Sequence, residues 1–377
     1  MAHAYTPGLK VSENELLRRR RTLPLKGEVV VRNGAAVKPE DVVARTFLPG
    51  KVDIVNVANR MGIDQSEVPS SMVKREHDEV LQGEVIAESK SLFGLLKSKA
   101  TATLNGTIES VSGVTGQVIL RGPPQPVAIN AYLEGIIVEV IPQEGVVVET
   151  SGTLIQGIFG IGGEVTGEIA MVTPSPGDVL DERLLSKNHR GKVVIGGGLV
   201  TKDALKKAIE LEISGIVVGG FDDQDLRGFL GHDLGVAITG HENLGITLIV
   251  TEGFGKIDMA ARTFSLLHKH QGRQASINGA TQIRAGVIRP ELIIPIPGAQ
   301  PRKNIPAEEK GMNVGSTVRV IRDPYFGKIG KVHSLPSRPQ RLESGTKTRV
   351  LEVMMENSDI LTIPRANIER IEGHDVT

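Results

Sequence analysis

The chain of 377 residues contains no cysteine, which excludes disulfides, zinc–thiolate and iron–sulfur ligation, and any thiol nucleophile. A reducing cytoplasm is the simplest compartment for such a composition. Net charge is also missing. The 44 basic residues cancel the 44 acidic ones, so the whole molecule has no field to drive non-specific nucleic-acid binding, and any such contact has to be local. No apolar run reaches membrane-spanning length, and residues 1–10 carry no apolar core of a signal peptide. The expectation is a cytoplasmic protein without membrane contact. What is plentiful is glycine and proline, 44 and 20 residues, which tilt the chain toward turn-rich β structure. Its length implies two or three domains.

The densest basic feature is Arg18-Arg19-Arg20-Arg21, in an N-terminal extension of residues 1–26. Two readings stand open: a phosphate- or partner-binding arm, or the end of a short helix over residues 13–21, whose C-terminus positive charge favours. The helix is preferred, because four arginines alone specify little.

Residues 27–190 alternate β-branched residues with turn signals. A phrase recurs there: Val37-Lys38-Pro39-Glu40-Asp41-Val42-Val43-Ala44, then Val80-Leu81-Gln82-Gly83-Glu84-Val85-Ile86-Ala87, and more loosely Pro176-Gly177-Asp178-Val179-Leu180. Each precedes a glycine-led strand. The phrase resembles the barrel-sandwich hybrid of lipoyl and biotinyl carrier domains, found also in the C subunit of Rnf-type complexes and in large RNA polymerase subunits. The resemblance implies a β sandwich with a modified lysine at a hairpin tip. Neither Glu88-Ser89-Lys90-Ser91 nor Arg45-Thr46-Phe47-Leu48 matches a lipoyl or biotin attachment sequence, so a scaffold without a cofactor is expected. The glycine-rich run over residues 157–167 lacks the spacing and the following helix of a dinucleotide site, and reads as a β-turn or bulge.

Residues 191–296 switch period, with strands alternating with helices capped by Thr201 and by Asp222 or Asp223, which implies a mostly parallel sheet. Glycines follow the strands where open α/β sheets hold ligands. Gly197, Gly198, Gly219, Gly220 and Gly253, with Asp222, Asp223, Glu252 and the cation Arg284, therefore form a candidate site for a polar metabolite. Arg289 is a further cation in reach. Short loops also use glycine for geometry alone, and no nucleophile–base signature appears. His268 and His270, two apart, do not share a helix face; they read as complements to a helix dipole, and no metal is predicted.

A proline-rich linker, residues 297–313, separates this segment from residues 314–372, with a tail at 373–377. There Val318-Arg319-Val320, Lys328-Ile329-Gly330-Lys331-Val332, residues 349–355, 360–364 and 368–371 read as five strands. With Gly327 at a turn, Gly330 near the key glycine and Pro364-Arg365-Ala366-Asn367 before the last strand, this segment is similar to the KOW family of SH3-like barrels, known from NusG-type transcription factors and ribosomal proteins. The resemblance implies contact with RNA or a protein partner through loops. Arg319, Arg322, Lys328, Lys331, Arg338, Arg341, Lys347 and Arg349, with Tyr325 and Phe326, are the candidate contact residues.

The expected architecture is thus multi-domain and β-rich: a barrel-sandwich-hybrid-like N-terminal half, a central α/β segment and a C-terminal SH3-like barrel. The preferred function is a non-catalytic adaptor in the transcription or translation machinery; the alternative is a metabolite-binding protein or enzyme using the strand ends. Unpaired strand edges leave a homo-oligomer open.

Overall fold

The computed structural model describes residues 9–89, 98–222, 245–281, 288–296, 298, 312–320, 325, 328–342, 345, 347–355 and 358–370. It begins with β1 (Val11–Thr22), β2 (Val42–Leu48), β3 (Val52–Asn56), β4 (Gly106–Val111), β5 (Gln117–Arg121), β6 (Gln125–Asn130), β7 (Gly135–Ile141) and the long β8 (Gly145–Gln156). There follow β9 (Glu164–Met171), β10 (Val193–Ile195), helix α1 (Lys202–Glu210), β11 (Gly215–Phe221), β12 (Thr247–Phe254), helix α2 (Ala261–Lys269), β13 (Gln274–Asn278) and β14 (Glu291–Pro295). The C-terminal strands are β15 (Thr317–Val320), β16 (Ile329–Ser334), β17 (Val350–Met355), β18 (Ile360–Pro364) and β19 (Ile368–Arg370). The chain is β-rich and multi-sheet, with no closed barrel among the described residues. No described helix is long and apolar enough to cross a membrane.

The expected helix over residues 13–21 is instead part of β1. This strand pairs antiparallel with β8 from Val11↔Ile155 to Thr22↔Gly145. An isolated helix of that length is marginal in water. The strand gains a long ladder, broken by one irregularity between Ser12 and Glu15, and sends Leu17 into a core with Val146, Val148 and Leu154.

β2 and β6 pair antiparallel, Leu48↔Gln125 through Val42↔Asn130, so residues 49–124 leave the N-terminal unit and return at one point. At that neck the Gly122 amide donates to the Lys51 carbonyl at 2.8 Å. A Cβ on Gly50 would lie 1.8 Å from the Gly122 carbonyl oxygen, so only glycine lets the two backbones cross. The inserted unit has its own antiparallel sheet, β3-β5-β4 with Glu79–Val80, over a core that includes Val55, Met61, Val68, Ile86, Ile108 and Leu120.

The recurring phrase is one turn used repeatedly. Lys38 N–H donates to Asp41 Oδ2 at 2.7 Å, Leu81 N–H to Glu84 Oε2 at 2.9 Å and Ser175 N–H to Asp178 Oδ2 at 2.8 Å. In each case the amide of the acidic residue returns to the carbonyl of the first residue, at 3.1, 2.9 and 3.3 Å. A carboxylate three positions on therefore closes a side-chain-capped β-turn, which is why the acid and the turn residues recur together. Lys90 lies outside the described residues.

The main sheet runs β12-β11-β10-β9-β13-β14-β8-β7, with short strands Phe159–Ile161 and Ala36–Val37 at its ends. β10, β11 and β12 pair in parallel, as the alternation of strand and helix implies, and β9, from the segment expected to belong to the N-terminal β unit, joins them in parallel through β10. β9 is the switch: its first five residues pair antiparallel with β13 and its last three pair parallel with β10. β8 carries β1 along one edge, and β7 followed by β14 along the other. One sheet therefore runs through the expected boundary between residues 190 and 191. Every residue of β11 is buried, because Ile216 and Val218 pack with Ala204, Leu205 and Ala208 of α1, while Val217 packs with Leu267 of α2 on the other face. Thr201 caps α1, its hydroxyl accepting from the Ala204 amide at 3.1 Å. The glycine run near residue 160 lies in Phe159–Ile161, a turn with Gly162 at φ 84°, and β9, with no helix after it. The helix expected after Asp223 lies outside the described residues.

The C-terminal strands form one antiparallel sheet in the order β18-β17-β16-β15-β19. Its inner face holds Val318, Val320, Val332, Leu351, Val353, Met355, Ile363 and Ile368.

Candidate functional site

β15 is buried on both faces. Val318 and Val320 enter the C-terminal core, and Thr317 and Arg319 point to the opposite face, where Arg319 meets the α/β layer. Arg319, a single per cent exposed, donates to Glu252 of β12 at 2.6 Å and to Glu369 of β19 at 3.1 Å. Arg289 donates to the other oxygen of Glu369 at 2.5 Å, and the Ala260 amide donates to the other oxygen of Glu252 at 3.0 Å. Two arginines and two carboxylates thus alternate in a neutral, buried chain that seats the C-terminal sheet on the parallel strands. Arg319 is therefore an internal anchor and not an outward partner contact. Apolar–polar alternation identifies its face of β15 but not what covers that face.

This chain also occupies Glu252, the carboxylate of the candidate metabolite site. The glycines of that site serve close packing of the chain on itself. A Cβ on Gly197 would lie 2.4 Å from the Asp178 carbonyl oxygen, on Gly219 2.2 Å from that of Ile257, and on Gly220 1.9 Å from that of Gly255. Gly198 donates to Asp178 O at 2.8 Å and accepts from the Ile257 amide at 3.0 Å. Gly253 is buried in β12 opposite Gly220, and Asp222 is exposed at the end of β11. Asp223 and Arg284 lie outside the described residues. A groove of about 480 Å³ does exist elsewhere, beside Leu16, Ile136 and Glu149, but none of the expected site residues lines it.

The four adjacent arginines are neutralised internally. Arg18 donates to Glu149 at 2.7 Å, Arg19 to Glu291 at 2.7 Å and Arg21 to Glu164 at 2.6 Å, while Arg20 lies 3.7 Å from Glu144. Arg21 also stacks over the buried Tyr132 ring, 5.3 Å from its centroid. His270, expected as a helix-end cation, is buried with Nε2 3.0 Å from Thr153 Oγ1, and that hydroxyl donates to the Glu13 carbonyl. Burial first, then Arg273 and Lys269, holds its imidazole below the ordinary pKa, so it is neutral near pH 7.

The other flank of the C-terminal sheet differs. Lys328, Lys331, Arg338, Arg341, Lys347 and Arg349 are all exposed, and among the described residues none has a carboxylate within ion-pair distance. Arg341 and Lys347 are register partners in a two-stranded ladder, which places like charges directly opposite. Lys328 Nζ sits 5.5 Å from the centroid of the half-buried Tyr325 ring. Arg322 and Phe326 lie outside the described residues. Two residues missing from the sequence-based candidates also belong to this flank. The register Lys331↔Met354↔Ile360 puts Met354, 42% exposed, and Ile360, 50% exposed, beside Lys331 on the outer face. Their apolar character reads as core in sequence, but they point to the face of the sheet opposite the core of Val353 and Leu351.

No family model matches the sequence, and no curated protein matches it either.

Proposed function

We propose that this protein is a non-catalytic, multi-domain scaffold of the cytoplasm. In this reading its C-terminal sheet, an SH3-like module of the KOW type, docks on an anionic partner, RNA or protein, in the gene-expression machinery. The observation that carries it is the cationic flank. Arg341 faces Lys347 with no counter-charge among the described residues, a repulsion that a bound anion would relieve. By contrast, each member of the conspicuous Arg18–Arg21 run has a carboxylate within ion-pair distance. The metabolite reading loses support because Glu252 is held by Arg319, and the glycine edge is filled by backbone.

The test is a variant with Arg338, Arg341, Lys347 and Arg349 changed to Ala, purified beside the natural chain and compared for accompanying RNA and protein. Substitutions at these exposed positions, which have no ion pair among the described residues, should leave stability within about 0.5 kcal/mol. Partner recovery is expected to fall about tenfold or more, with a shallower salt dependence where the partner is RNA. An unchanged set of partners at unchanged recovery would reject the docking role.

A further inference from the structure

We propose that His270 is an acid-operated latch on the end of β1, which frees residues 10–15 from β8 when its imidazole takes up a proton; this is independent of the docking role above. The register between the two strands jumps from Ser12↔Leu154 to Glu15↔Gly152, so Glu13, Asn14 and Thr153 stand outside the ladder in a bulge. A side-chain relay bridges the gap. The fully buried Thr153 hydroxyl donates to the Glu13 carbonyl at 2.6 Å, and Nε2 of His270, the residue that ends α2, lies 3.0 Å from the same hydroxyl oxygen. A threonine hydroxyl carries one hydrogen. With that hydrogen given to Glu13, Nε2 has to be the donor, which fixes the neutral Nε2–H tautomer and leaves Nδ1 as a bare lone pair. Nδ1 is itself buried, with no hydrogen-bond partner among the described residues.

A second proton can therefore go only to Nδ1, where it would make a charged, buried donor without an acceptor. Lys269 and Arg273 of the same segment oppose that charge, Glu13 of β1 favours it, and β8 brings the neutral Thr153. The Glu13 carboxylate is already engaged by Lys269. Lifting the end of β1 admits water to the ring and removes the penalty. Burial first, then Arg273 and Lys269, holds the latched imidazole below its ordinary value of about 6.5, so the latched state binds the proton more weakly than the released one. The latch is fully closed above that value and loses its hold as pH falls through and below it. From Leu16 to Thr22 the ladder is regular and contains no histidine, so that half of β1 has no such response.

The test follows amide hydrogen exchange by NMR in the full chain as pH is lowered from neutral to about two units below, each rate being divided by that of an unprotected peptide at the same pH. Protection of residues 10–13 relative to residues 17–22 is expected to fall about tenfold or more in the natural protein. It should stay level in His270→Gln, whose neutral side-chain amide still donates to Thr153. Thr153→Val, which cuts the relay but keeps its shape, should lower protection of residues 10–13 already at neutral pH. In the natural protein the imidazole nitrogen shifts should show the Nε2–H tautomer and a titration midpoint below about 6.5. An equal fall in His270→Gln, or no fall in the natural protein, overturns the latch. Where His270→Gln does not fold, the imidazole shifts decide, and an Nδ1–H tautomer or a midpoint at or above about 6.5 overturns it.

Discussion

Arg319 sits where a guanidinium is costly unless both of its faces are answered, and here they are, by Glu252 and Glu369. Removing it would leave two carboxylates buried with a single arginine, Arg289, to compensate for them. Arg319→Ala is therefore expected to destabilise the protein by about 3–5 kcal/mol, measured from urea unfolding midpoints at constant slope. Lys331→Ala, one strand away and exposed, should change it by less than about 0.5 kcal/mol. Equal effects of the two substitutions would refute the anchoring role. The sequence treats these two cations alike, as polar residues in alternating strands. Which one is covered depends on the α/β layer, whose residues come from a remote part of the chain.

At the scale of elements, local chemistry was legible wherever it was short-range. The capped turns at Asp41, Glu84 and Asp178 repeat because a carboxylate three residues on can satisfy the leading amide without tertiary help. The Thr201 cap is legible for the same reason and strands β10 to β12 by the change of hydrophobic period, whereas the parallel pairing of β9 with β10 depends on tertiary structure. Residues 13–21 are ambiguous in sequence because a run of arginines supports a helix end as well as a strand edge, and only pairing with β8 separates the two. The strand-end glycines were legible as close-approach points but not as to what approaches. Loops of the chain itself do so, which Gly220→Ala tests. Its Cβ would meet the Gly255 carbonyl oxygen at 1.9 Å, and overpacking against backbone is expected to cost about 1–3 kcal/mol or more. A variant as stable as the natural protein would mean that the loop yields and the edge is open.

For the whole molecule, the organisation is nested, not beaded. β8 and β9 bind the N-terminal strands and the α/β layer into one sheet, and the C-terminal sheet is seated on that layer by the buried ion chain. The unit over residues 49–124 is the exception, because it has its own core and leaves and returns at the Gly50–Gly122 crossing. Replacing residues 51–121 with a short Gly-Ser link should leave the remainder folded, with one cooperative unfolding transition and a smaller denaturant slope. Loss of cooperative unfolding would show that the inserted core supports the rest.

The absences on which the sequence is plainest hold at every scale. Lack of cysteine rules out thiol and thiolate chemistry, and balanced charge confines any anion binding to a local patch. These depend on residue inventory alone. Where that patch lies was decided by tertiary structure, because pairing, not charge count, leaves a cation available. The conspicuous arginines of β1 are consumed by Glu149, Glu291, Glu144 and Glu164, which strand register brings from remote positions. Lys328, Lys331, Arg338, Arg341, Lys347 and Arg349 of the C-terminal segment, much weaker as a sequence signal, face solvent with no ion pair among the described residues.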